Sequence, residues 1–282
     1  MTWSKLPFCK MSGTGNDFII IDNRQGLVPH PEQSSLTKKL CKRTFSLGAD
    51  GVIFLEPSSV ADIKWVFYNS DGSRAGQCGN GARCATRYAH LHGMGSARIT
   101  LETEAGIVNA SVVNEKHVVV SFPPPVSLQL NYPLEVDGKS YTINSINTGV
   151  PHVVLEDAQI GSGNRKKLGS AIRNHAQFPQ GTNVNFMTIV DRKNIRVQSY
   201  ERGVEDFTLA CGTGAMSSAI VAHALKLAEP PIRIHVPGGV LTVDFKFSNQ
   251  KYLDVSLAGD ARIICEGEIN REAILFEEQS NV

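Results

Sequence analysis

The 282-residue sequence is short of most features that mark a specialised class. Lys and Arg total 28 against 27 Asp and Glu, so neither sign of charge dominates. That leaves no electrostatic footprint for nucleic acid or an anionic membrane surface, and it points to a small-molecule partner. No stretch reaches the roughly 20 apolar residues of a membrane-spanning helix. The opening MTWSKLPFCK lacks the apolar core of a secretion signal. Six cysteines are too sparse for a disulfide-stapled secreted scaffold. The expectation is a cytoplasmic protein with reduced thiols.

Cofactor signatures are missing as well. There is no Walker pattern, and GTGNDF and CGTGAMS contain Gly-x-Gly without the third glycine of a dinucleotide loop. Cys78 and Cys84 lack C-x-x-C spacing, and the histidines offer no paired spacing with cysteine partners, so neither a metal nor a cofactor is expected. His90 and His92 are too close to share a helix face and read as ordinary residues. Cys9, Cys41, Cys84 and Cys265 sit among apolar or helix-like neighbours and read as small buried hydrophobes.

What is present is a duplication. NSDGSRAGQCGNGARC places Cys78 before a helical stretch, ARCATRYAHLHG, and a strand-like ITLETEAGIV. ACGTGAMSS places Cys211 before AMSSAIVAHALKLA and IRIHVPGGVLTVDF. Ile99 and Ile232 each lie 21 residues past their cysteine, and Gly106 and Gly239 each lie 28 past. A weaker echo links SGTGNDFIIID to NTGVPHVVLED. The triplet Pro123-Pro124-Pro125 has the composition of a boundary, because proline breaks both helix and ladder hydrogen bonding. Two similar halves are expected, 1–125 with Cys78 and 126–282 with Cys211, the last strand (about 260–282) packing with the first half. Short β-rich runs such as VIFLE, IKWVFYN and IRVQSYE alternate with Gly, Asn and Asp turns. The stretch Ala215 to Ala228 is apolar on nearly every face, which suits a helix enclosed by a curved sheet. The fold class is α+β: two halves, related by approximate two-fold symmetry, each a barrel-like mixed sheet around a central helix. Such a pair tends to place its ligand in the cleft between its members.

A cysteine at a helix N-terminus has its thiolate stabilised by free N–H groups and the helix dipole. Glycines just after it let a carboxylate approach those N–H groups. One such stretch is as readily a helix start with a buried cysteine. Two in matching positions favour function. Thiols on opposite sides of one carbon suit inversion of a stereocentre, one removing the α-proton and the other returning a proton to the opposite face. Upstream of Cys211, Glu201-Arg202-Gly203 has the groups to grip an amino group and a carboxylate, although a surface ion pair has the same look. Asn16, Asn69, Asn80 and Asn183 lie in Gly- or Asp-rich turns where asparagine is expected anyway. His152 either orients a thiol or caps a strand.

Nearly end to end, through SGTGNDFIIID, LGADGVIFLEP, NSDGSRAGQCGNGARC, NTGVPHVV, FPQGTNVNFM, YERGVEDFTLACGTGA and PGG, the chain resembles the diaminopimelate epimerase family. These are cofactor-independent enzymes that interconvert LL- and meso-diaminopimelate on the lysine and peptidoglycan route. The resemblance implies Cys78 and Cys211 as catalytic base and acid. It implies Gly79-Asn80 and Gly212-Thr213 as the cradle for the reacting carboxylate. Asn16, Asn69, Asn183, Glu201 and Arg202 match substrate-holding positions, and His152 and Glu201 match residues that help set the thiol protonation states. Three departures stand out: Gly51 where many relatives have glutamine, Val150 where they have asparagine, and VEDF one residue longer than the commoner AGE. A racemase of the same superfamily with another amino acid, and a non-catalytic amino-acid-binding or redox-sensing protein, are the other readings. A homodimer is expected by base rate.

Overall fold

The β-rich runs fold as strands because each alternates with residues that turn the chain. The computed structural model describes residues 3–76, 78–159 and 164–276. The chain divides into two compact units, Met1–Val120 with Asp260–Val282, and Ser121–Gly259.

In the first unit, β1 (Lys5–Gly13) and β2 (Asn16–Asp22) form a hairpin with Gly13 opposite Asn16. Its two-residue turn holds Thr14 and Gly15 at φ 55° and 87°, the left-handed pair that matches strand twist. Threonine is unusual there, and the Asp260 carboxylate holds it, accepting from the Thr14 N–H and hydroxyl at 2.8 Å each. Helix α1 (His30–Leu40) leads to β3 (Gly51–Glu56), parallel to β2, and β4 (Ile63–Asn69) returns antiparallel. Helix α2 (Gly79–Leu91) then leads to β5 (Arg98–Thr103), parallel to β4, followed by antiparallel β6 (Gly106–Val112) and β7 (His117–Ser121).

The second unit repeats this connectivity. It comprises β8 (Val126–Val136), β9 (Lys139–Asn147), β10 (Pro151–Glu156), α3 (Arg165–Arg173), β11 (Asn183–Asp191), β12 (Asn194–Glu201), a short β13 (Asp206–Phe207), α4 (Gly212–Ala224), β14 (Ile232–Val236), β15 (Gly239–Ser248) and β16 (Lys251–Asp260). Again a hairpin, β9–β10, is followed by a parallel pair, β10–β11, an antiparallel pair, β11–β12, and a helix. A parallel strand, β14, and its antiparallel partner, β15, complete the series. The last strand, β17 (Arg262–Asn270), belongs to the first unit and pairs antiparallel with β1, as β8 pairs with β9. Residues 277–282 lie outside the described residues.

The central strands of each unit, β2 and β3 in one and β10 and the first half of β11 in the other, are buried on both faces. Helix α2 packs on β1, β2, β3, β5 and β6, and α4 packs on β9, β10, β11, β12, β14 and β15. Each helix is thus wrapped by its own curved sheet, which is the α+β architecture expected. The opposite faces carry separate cores, Leu6, Ile19, Ile21, Leu36 and Phe54 under α1, and Val153, Leu155, Leu168, Ile172 and Phe186 under α3. Each such side chain contributes about 1.5–3 kcal/mol by leaving water. Helix α4 is buried all round, and Ala and Ser in its middle turns allow the close approach this needs. Cys9, Cys41 and Cys84 are buried, but Cys265 is exposed, a correction to the sequence reading. Its strand, β17, leaves most of its side chains in solvent, so apolar neighbours in sequence do not imply a covered position.

Candidate active site

Both motif cysteines are helix N-caps. Cys78 has extended backbone, φ −151° and ψ 112°, and its Sγ accepts from the Gly81 N–H at 3.4 Å. Cys211 has φ −111° and ψ 110°, with its carbonyl accepting from the Ala215 N–H at 2.9 Å. Gly79 and Gly212 open helices of thirteen residues each. Both thiols therefore sit at the positive end of a buried helix, beside first-turn N–H groups that have no partner within the helix.

Around Cys78, the hairpin turn brings in Asn16, whose Oδ1 accepts from the Cys78 thiol at 3.9 Å and from Asn80 Nδ2 at 3.3 Å. The amide is oriented from its other end, where Asn16 Nδ2 donates to Asp50 Oδ2 at 2.6 Å. Asp50 in turn accepts from Arg43, which also bonds Asp17. Burial pushes the Asp17 carboxyl up, but hydrogen bonds from Arg43 and Lys10 outweigh that and hold it below the usual range. Asn69 ends β4 opposite Gly51, and its amide donates to Ser73 Oγ at 3.0 Å rather than toward Cys78. Gly51 has no room for a side chain: a Cβ there would lie 2.5 Å from both the Phe67 ring and the Tyr68 carbonyl. The aromatic ring occupies the space that a larger residue would need.

Around Cys211, Glu201 at the end of β12 hydrogen-bonds the thiol. Burial pushes the Glu201 carboxyl above the ordinary carboxylate range, while its bond with Cys211 pulls it back. The Thr213 hydroxyl lies 3.5 Å from Cys211 Sγ, and the Thr213 carbonyl accepts from Thr148 Oγ1 at 3.2 Å. Parallel pairing of β10 with β11 sets His152 beside Asn183. Asn183 Oδ1 accepts from the Arg202 N–H at 2.8 Å, which turns Asn183 Nδ2 toward His152 Nε2 at 3.4 Å. Asn185 Oδ1 accepts from Ser199 Oγ at 2.7 Å, and its Nδ2 faces the Val153 carbonyl at 3.0 Å and His152 Nδ1 at 3.1 Å. Both ring nitrogens of His152 thus meet amide donors, an environment that rejects a doubly protonated ring. Burial, then the nearby Arg202 charge, push His152 down to about 3. It is a neutral imidazole.

The longer loop before Cys211 is absorbed by left-handed backbone at Gly203 (φ 93°) and Glu205 (φ 57°). The Glu205 N–H donates to the Glu201 carbonyl at 2.8 Å, and Arg173 Nε donates to Glu205 Oε1 at 2.9 Å. The turn is therefore pinned, and β13 re-enters pairing with β12 at Tyr200 and Glu201.

The structure thus joins Asn16, Cys78 and Asn80 in one unit, and Glu201, Cys211 and Thr213 in the other, with His152, Asn183 and the Arg202 backbone linked beside them. Sequence reasoning missed Asp50, Arg83, Asn185 and Ser199. Arg83, Asp50 and Asn185 stood in the quoted CGNGAR, LGADGVIFLEP and FPQGTNVNFM stretches, and Ser199 in the strand IRVQSYE, but nothing in their residue type singled them out.

Comparison with known proteins places the chain in a family. The diaminopimelate epimerase family profile matches residues 8–127 and 144–264. A diaminopimelate epimerase from Aquifex aeolicus is 40% identical, covering 96% of this chain and 100% of that one. One from Caldanaerobacter subterraneus is 38% identical, covering 94% and 99%. The crystal structure of a hydroxyproline epimerase from Agrobacterium vitis superposes with a TM-score of 0.69 at 17% identity, covering 96% of this chain and 94% of that chain, a likeness of fold.

Proposed function

The chain belongs to the diaminopimelate epimerase family, and from that premise we propose that Cys78 and Cys211 are the acid–base pair acting on the α-carbon. The protein is an isomerase, a diaminopimelate epimerase of lysine biosynthesis acting on a small-molecule substrate. In this reading, one thiolate removes the α-proton of LL-2,6-diaminopimelate and the other thiol delivers a proton to the opposite face, giving the meso isomer. The reverse reaction exchanges their roles. The observation that supports it best is the pair of N-capping cysteines at equivalent positions of two repeated units, each with its own polar partners.

The difficult step is abstraction beside a carboxylate, where the carbon acid is weak. First-turn N–H groups of α2 and α4, at Gly79-Asn80 and Gly212-Thr213, would stabilise the charge that grows on that carboxylate. Glu201, uncharged more readily than an exposed glutamate, exchanges a proton with Cys211 or orients it, which lets that thiol start in either state. Asn16, Asn69, Asn183 and Arg202 hold the remaining polar groups of the substrate, and neutral His152 fixes Asn183. No resident cofactor or metal takes part in this scheme.

Incubation with LL-diaminopimelate in deuterium oxide tests it. Meso product carrying α-deuterium is expected, and the absence of both would overturn the assignment. We further take the chain to work in the cytoplasm as a homodimer. Sedimentation at twice the 30.6 kDa chain mass is the expected result, and a monomer at working concentration would remove the dimer.

A further inference from the structure

Arg83 has no part in the scheme above, yet it is among the most buried side chains of the molecule. Its guanidinium makes four hydrogen bonds, all to uncharged oxygens. Nε donates to the Asp260 carbonyl at 3.1 Å, Nη1 to the Gly79 carbonyl at 3.4 Å, and Nη2 to Thr14 Oγ1 at 2.9 Å and Asn80 Oδ1 at 3.0 Å. No carboxylate touches it among the described residues. Burying an ion without a charged partner costs several kcal/mol. Arginine keeps its charge even when burial works against it.

We propose that Arg83 is a positioning residue for Cys78: a fixed positive charge that stabilises its thiolate and orients the amides around it. The proposal rests on Cys78 being one of the two reacting thiols. Arg83 lies one turn into α2, and its fork reaches back to the carbonyl of Gly79, the residue after Cys78. Its charge adds to the positive helix terminus there. By donating to Asn80 Oδ1 it turns Asn80 Nδ2 toward Asn16 Oδ1, and Asp50 at the far end enforces the same polarity. A lysine, with a point charge and no planar fork, would keep the first effect and lose the second.

The other charged or titratable groups near this helix are already committed. Asp260 accepts from Thr14 and pairs with Arg262 at 2.9 Å. Asp17 and Asp50 pair with Arg43, and Asp17 also with Lys10. Arg87 donates to the Ala261 carbonyl. Burial pushes the Cys84 and Cys9 thiols up to about 12, so both stay neutral near pH 7. Among the described residues, Arg83 is a fully buried charge with no carboxylate in contact, and it reaches the turn that carries Cys78.

The test titrates Cys78 by its iodoacetamide alkylation rate in a Cys211→Ser, Cys265→Ser background, with peptide mass identifying the site. Cys41, likewise pushed up to about 12, does not interfere. In Arg83→Met the midpoint should rise by about one pH unit, a roughly tenfold slower reaction at neutral pH. In Arg83→Lys it should stay within about half a unit, while in the enzyme that keeps Cys211 the same substitution should raise KM because Asn80 is no longer held. An unchanged midpoint in Arg83→Met with a native circular dichroism spectrum overturns the proposal. If Arg83→Met does not fold, the Arg83-containing background decides. A buried charge is little screened, so its midpoint should move by less than about 0.3 units between 0.05 and 1 M KCl. A salt shift of about one unit would place the charge at the surface and overturn the proposal. Normal titration without epimerase activity would refute the function and leave this charge assignment standing.

Discussion

Serine in place of Cys78 or Cys211 separates chemistry from structure at the level of a single atom. Both positions are N-caps, where a serine oxygen is at least as good an acceptor for first-turn N–H groups as sulfur. Stability should therefore be kept within about 1 kcal/mol in each variant. The serine hydroxyl is a far weaker acid than a thiol, so kcat should fall by about 10²–10⁴-fold, the usual worth of a positioned proton-transfer group. Urea unfolding and turnover of LL-diaminopimelate check both halves of this, and a wild-type rate in either variant removes that cysteine from the mechanism. The cysteines were legible because both their type and their spacing repeat. Arg83 was not, since an arginine on a helix normally faces solvent. Its burial depends on Thr14 and Asp260, and the Asp260 contact lies 177 residues away in sequence.

At the scale of the element, the helices begin where the glycines let them. The sequence places the second helix over Ala215 to Ala228, but α4 runs Gly212–Ala224. Gly-Thr-Gly looks like a breaker, yet here it is the first turn, and Lys226 at φ 63° ends the run early. Gly214 shows why the turn needs glycine: a Cβ there would lie 2.3 Å from Asn185 Oδ1 and 2.8 Å from Ser199 Oγ. Both oxygens belong to the buried network that holds His152, so neither can move without breaking a hydrogen bond. Gly214→Ala should cost about 2–3 kcal/mol through overpacking and lost hydrogen bonds, and should lower kcat by shifting Cys211. Gly76→Ala is the control, because its Cβ would meet nothing closer than 3.6 Å, and it should stay within about 0.5 kcal/mol. Equal stability of the two variants, measured by urea unfolding, would show that the first turn of α4 tolerates displacement. Strand IKWVFYN, by contrast, was readable in full as β4, because its buried residues are β-branched or aromatic and turns bracket it.

At the scale of the whole molecule, the duplication in sequence became two units of one connectivity, although β17 reaches the first unit from the far end of the chain. No local pattern shows that Lys10 will pair with Cys265. Global stability carries a pH signature set by the same buried network. His152 is pushed from an ordinary 6.5 down to about 3 when folded, so between those values the unfolded chain binds the extra proton. Its contribution is complete above pH 6.5 and is lost as pH falls toward 3, by up to about 1.4 kcal/mol per pH unit. His223, lowered by burial, acts in the same direction with a smaller range. Glu201 acts the opposite way, since a raised carboxyl favours folding at low pH and loses that contribution as pH rises through its folded value. Asp17, Asp22, Asp62 and Asp71 are all held low, so their contribution disappears only as pH falls below the ordinary carboxylate range. Between pH 6.5 and 4.5 His152 and His223 lower stability as pH falls while Glu201 opposes them, so His152 is read from the difference between the wild-type and His152→Gln profiles. Urea unfolding across that interval should show falling stability, with a clearly flatter profile in His152→Gln, which has nothing to protonate. Parallel profiles would mean that His152 is accessible to protons in the folded protein, and that the amides of Asn183 and Asn185 do not hold it neutral.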